Sequence, residues 1–154
     1  MKIKKNLFVV ILTIAVLFIG SPIVKGQNTQ KNVQSNLVGK WKIDKSSIGG
    51  LVDDIIEKTR KQDAAQADAL SEQRELVEQT VGESVVEYKA DNTYTVDIPG
   101  RPQSTGKWKV SEDGKKIIRT DSAGKEIINE VVESTKTKLI VINSDKRKVI
   151  YNLQ

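Results

Sequence analysis

From Glu83 to its end the chain is interrupted by turn-forming residues at short, regular intervals, and between interruptions its apolar residues alternate with polar ones. Thr93–Ile98 sets Tyr94, Val96 and Ile98 against Thr95 and Asp97, and Gly106–Val110 sets Trp108 beside Val110. A period of two with one polar side is the mark of a half-buried strand, and turns about every 8–12 residues mark a sandwich or barrel. The interruptions are Asp91-Asn92, PGRPQST, SEDGK, SAGK and TKTK. The strands between them are Ser84–Lys89, Thr93–Ile98, Gly106–Val110, Lys116–Asp121, Glu126–Ser134, Lys138–Asn143 and Lys146–Leu153. Their short connections make sequential neighbours pair antiparallel.

An eighth strand precedes them. Gly39–Asp44 alternates Trp41 and Ile43 with Lys40, Lys42 and Asp44. The period then changes: Ile48, Leu51, Val52, Ile55 and Ile56 form the stripe of an amphipathic helix. Ser46 or Ser47 is available to cap it, and Asp53, Asp54 and Glu57 suit the positive end of its dipole. The stripe fades and resumes weakly at Ala67, Leu70, Val77 and Val81, with Gly82 as a stop. A helical insertion at about 47–82 therefore divides the first strand from the rest, as two helices or one broken near Gln62. Eight antiparallel strands lose their exposed edges by closing into an up-and-down barrel. Closure pairs the first strand with the last. Arg147 shares the parity of Val149, Tyr151 and Leu153, which brings it into the barrel end beside Trp41.

The N-terminus has a separate reading. MKIKKN, the 14-residue apolar run LFVVILTIAVLFIG and the exit SPIVKG have the layout of a signal peptide cleaved before Gln27. The run is short of the ~20 residues that span a bilayer, so no membrane span is expected after cleavage. Residues 27–36, QNTQKNVQSN, read as a flexible arm before a domain over 37–154. The chain carries +5 overall, but residues 1–26 hold four lysines and no acid. The remainder has 21 basic against 20 acidic residues, net +1, which removes the basic footprint of a nucleic-acid binder. There is no Cys and no His. Disulfides, His-based acid–base chemistry, Ser-His and Cys-His pairs and the commonest zinc ligands all fall away. Neither a cofactor nor a metal is expected, and the chain reads as no enzyme.

The candidate binding residues are aromatic and basic. Trp108, Tyr88 and Tyr94 lie on apolar strand faces, as does Tyr151, and each either lines a ligand pocket or fills the barrel. Arg119 gains a role only if it points inward, where a buried guanidinium binds a carboxylate. Ile117 and Ile118 have opposite parities, so both directions stay open. Residues 44–88 carry a net charge of −6 and 89–154 a net of +4. Surface pairs contribute little each. Docking of the helices therefore falls mainly to Leu51, Val52, Ile55 and Ile56.

Across residues 37–153 the chain resembles bacterial lipocalin-like, or calycin, domains. Gly39-x-Trp41 opens the first strand as the lipocalin Gly-x-Trp motif does, and a helical insertion follows. YKADNTYTV resembles their hairpin, GKWKVSEDGKKI their next strand–turn–strand unit, and Arg147 the basic residue that packs across the first tryptophan. The resemblance implies a structural trio of Gly39, Trp41 and Arg147 and a small apolar or amphipathic ligand held without chemistry. A filled barrel whose helices meet a protein partner at the envelope or cell surface is the alternative. The family's disulfide cannot form here and its lid-like loop is not recognisable. With two tryptophans the chain also falls short of the biotin-binding barrels that share its opening.

Overall fold

The computed structural model describes residues 24–154. The apolar run expected to be a signal peptide lies outside them. The elements follow in the order α1 (Val24–Leu37), β1 (Gly39–Ile43), α2 (Lys45–Arg60), α3 (Ala64–Glu72), α4 (Arg74–Glu83), β2 (Val85–Tyr88), β3 (Thr93–Asp97), β4 (Ser104–Val110), β5 (Lys116–Asp121), β6 (Glu126–Ser134), β7 (Lys138–Ile142) and β8 (Lys148–Leu153). The eight strands form one closed barrel in sequence order, every neighbour antiparallel. Closure comes from β1 against β8, with Trp41 opposite Leu153 and Ile43 opposite Tyr151.

Alternation decides what goes inside. Trp41, Tyr88, Tyr94, Trp108, Val110, Ile117, Leu139, Val141 and Val149 are buried in one cluster, and each sits at the inward parity of its strand. Four hairpins are built alike. A short turn ends in one residue at positive φ, namely Asn92, Gly114, Gly124 or Lys146. In each, an Asp or Asn oxygen accepts a turn N–H, as Asp91 does from Thr93 at 2.9 Å. Of the Asp91-Asn92 pair only Asn92 is left-handed, so that turn is longer than a two-residue hairpin.

Residues 27–36 are not a flexible arm. They belong to α1, which plugs one end of the barrel. Val33 and Leu37, four apart and so on one helical face, are 7% and 0% exposed. Polar side chains of α1 reach strand ends and turns at that rim: Gln30 donates to Val110 O, Asn36 to Ser134 O and Gln34 to Asn92. The Trp41 indole N–H donates to Leu37 O at 2.8 Å, satisfying a carbonyl at the helix end that has no partner within the helix. Gly39 turns the chain from plug into barrel at φ +145°, and a Cβ there would stand 2.6 Å from Leu153 Cδ1.

At the other end lie α2, α3 and α4, three helices where two or one were expected. The break falls near Gln62 as expected, and a second one falls at Gln73. Asp44, not Ser46 or Ser47, caps α2, and its side chain accepts from Ser46 N. Ser47 Oγ instead accepts from Ile150 N–H on β8, at 3.0 Å. The early start places Asp53 and Asp54 in mid-helix, so ion pairs rather than the helix dipole account for them. Asp53 pairs with Arg74 at 2.8 Å, and Asp54 with Arg147.

The docking stripe divides its labour. Leu51 packs on the barrel cluster. Val52 and Ile56 face Ala67 and its neighbours on α3 and α4, where they make a second small core. Ile55 stays 39% exposed.

Candidate functional site

Antiparallel order gives the barrel two unlike ends. The α1 end is filled by the largest side chains. The end under α2 and α4 opens into a cavity of about 290 Å³. Its walls are apolar: Ile43 from β1, Leu51 and Ile55 from α2, Val81 from α4, Val86, Val96 and Ile98 from β2, β3 and the loop after β3. Arg119 and Tyr151 also line it, and Asp54, Lys58, Asp145 and Ser84 supply the remaining polar groups.

Register explains Arg119. In β5 it lies two residues beyond Ile117, which is fully buried, so it shares that inward face. Its guanidinium carbon stands 5.5 Å from the centre of the Tyr94 ring, a cation–π arrangement. Nε is buried and has no hydrogen-bond partner among the described residues. Burial opposes its charge, but a guanidinium is not deprotonated in proteins. Arg119 is therefore a cation. Burial pushes the Tyr151 hydroxyl up to about 12 and the Tyr88 hydroxyl up as well, so both are protonated at neutral pH.

The carboxylates at the rim are already taken. Asp54 accepts from Arg147 Nε and Nη2, both at 2.6 Å, a two-point grip that holds its pKa below the usual range. Asp145 accepts from Lys58 Nζ at 2.6 Å. Both pairs tie α2 to the β7–β8 turn.

The expected residues thus fall into separate places. Trp108 and Tyr88 belong to the closed half. Their rings meet edge to face at 5.4 Å, and the Trp108 indole N–H donates to Lys89 O at 3.1 Å. Tyr94 lies next, 6.5 Å from Tyr88, with its ring against Gly106 where a Cβ would not fit. Of Trp108, Tyr88, Tyr94 and Arg119, it is Arg119 that lines the cavity, with Tyr151.

Gly39 and Trp41 stand where closure needs them, but Arg147 does not lie across Trp41. It precedes β8 by one residue, six positions from Leu153, the residue opposite Trp41. At about 3.3 Å per residue that is roughly 20 Å along the strand. Its guanidinium lies over Gly50 and grips Asp54, fastening α2 to the open end. Asn129 is the inward residue that sequence reasoning passed over. It is 5% exposed, on the parity of Ile127 and Val131 in β6. A polar residue at a core position of EIINEVVES was the available signal.

No acidic cluster suited to a metal exists among the described residues, and no helix among them is long and apolar enough to cross a membrane. No family model and no curated protein matches the sequence. A solved structure of a DUF4847 family protein from Bacteroides vulgatus is similar over 76% of this chain and 92% of its own length, at 14% identity and a TM-score of 0.44.

Proposed function

We propose that this chain is an exported, lipocalin-like carrier that takes one small amphipathic molecule into the mouth of its barrel and does not transform it. The cavity under α2 and α4 carries the reading. An eight-stranded barrel holds either packed side chains or one small ligand. Here the α1 half is filled, and the other end opens into a cavity whose walls pack on that core. Apolar walls with a few converging polar groups are the usual make-up of a small-molecule site, and about 290 Å³ stands at the lower end of the ~300–1,000 Å³ such sites occupy. The ligand is accordingly short. Binding without catalysis follows from the chemistry available: there is no His or Cys, and the rim carboxylates are engaged in ion pairs. Export rests on the basic head and apolar run of the N-terminus.

Exposed Leu76 on α4, at 57%, is what favours the competing reading of a surface that meets a protein partner. Native mass spectrometry of gently purified protein, before and after solvent extraction, separates the two. Added small-molecule mass that extraction removes is the expected result. A clean mass in both states, together with no uptake of a lipophilic fluorescent probe, would overturn the carrier and leave the interaction surface.

A further inference from the structure

We infer that the molecule held in the barrel mouth carries a carboxylate, and that Arg119 is its anchor; the inference rests on the carrier reading above. Arg119 is a half-buried cation whose Nε is fully buried, and it has no anionic partner among the described residues. Its Nε has no acceptor among the described residues, and burial keeps the Tyr88 and Tyr151 hydroxyls beside it protonated. Removing a guanidinium from water is costly unless an anion and hydrogen bonds compensate. The nearby carboxylates cannot compensate it, because Asp54 is gripped at two points by Arg147 and Asp145 is held by Lys58. The partner must therefore come from outside.

Its chemistry follows from the donors. The fork of a guanidinium matches the two oxygens of a carboxylate, and charge-assisted bonds of that kind are about twice as strong as neutral ones. Protonated tyrosine hydroxyls can donate to the oxygens' remaining lone pairs. An amine would be repelled, and an alcohol would leave the cation uncompensated. The apolar walls, with Leu51 and Val81 above and Val86 and Val96 below, suit a short hydrocarbon tail behind that head group.

The test uses three probes with the same tail. Octanoate, 1-octanol and octylammonium are titrated calorimetrically into the solvent-extracted protein and into its Arg119→Met and Arg119→Lys variants. Octanoate is expected to bind about tenfold or more tighter than octanol, the scale of one charged hydrogen bond. Octylammonium is expected to bind weakest. Arg119→Met should keep octanol binding and lose the preference, and Arg119→Lys should restore part of it.

Equal binding of octanoate and octanol by the native chain, or a preference that survives in Arg119→Met, overturns the carboxylate anchor and leaves the carrier reading standing. If none of the three binds, the carrier reading falls and the anchor with it. Should the variants not fold, the ranking of the three probes by the native chain decides. So does the Arg119 Nε–H resonance, whose failure to move with octanoate would overturn the anchor.

Discussion

At the scale of single residues, Arg119 and Arg147 have opposite fates. Arg147 meets a carboxylate and becomes a fastener, whereas Arg119 is half-buried beside tyrosines with its buried Nε unpaired. A buried ion costs several kcal/mol even after relaxation, and a cation–π contact returns about 0.5–2 kcal/mol. With its Nε unpaired, Arg119 is expected to cost the protein stability. Arg119→Met should stabilise that protein by about 1–3 kcal/mol in urea unfolding. A less stable variant would show that the Arg119 stem and its ring contacts hold the barrel together. Neither fate was legible in the sequence. Ile117 and Ile118 put apolar side chains on both parities, so alternation cannot orient the arginine. Arg147 shares the parity of Tyr151, but its distance from Trp41 depends on the β1–β8 register, which no local pattern encodes.

Among the elements, the strands were the most legible, because alternation and turn chemistry act within a few residues. All eight stand where they were expected, and Asp44, Asp91, Asp113 and Asp121 each show how a local hydrogen bond starts or turns an element. The plug α1 was hidden for a physical reason. Two apolar residues, Val33 and Leu37, in an otherwise polar run give no stripe, and their burial depends on a barrel end formed by distant strands. The helical stripe of α2 was legible, but its targets were not, since Val52 and Ile56 serve α3 and α4 rather than the barrel. Leu37→Ala tests the plug. Leu37 is fully buried beneath Trp41, so its truncation should cost about 2–5 kcal/mol of unfolding free energy, as core leucines do. A loss below about 0.5 kcal/mol, typical of surface positions, would return residues 27–36 to the status of an arm.

For the whole molecule, the two ends of the barrel differ in how they are closed. One end is closed by α1 and packed with Trp41, Trp108 and Tyr88. The other carries α2 and α4 over a cavity and is fastened by the exposed or half-exposed pairs Asp54–Arg147 and Lys58–Asp145. Without Cys the barrel has no disulfide to rely on, so the packed half and the closed ladder hold it together. The fold class could be inferred from periodicity and edge protection. The cavity could not, because the space left between side chains is set by how they pack.

The measurement that bears most directly on the carrier reading is a methyl NMR titration of the solvent-extracted protein with octanoate. The expected result is saturable shifts at Ile43, Leu51, Val81, Val86 and Val96 of the mouth, with Val110 and Leu139 of the packed half little moved. Shifts confined to exposed Leu76, Ile128 and Val132, or no saturable shift at all, would contradict it.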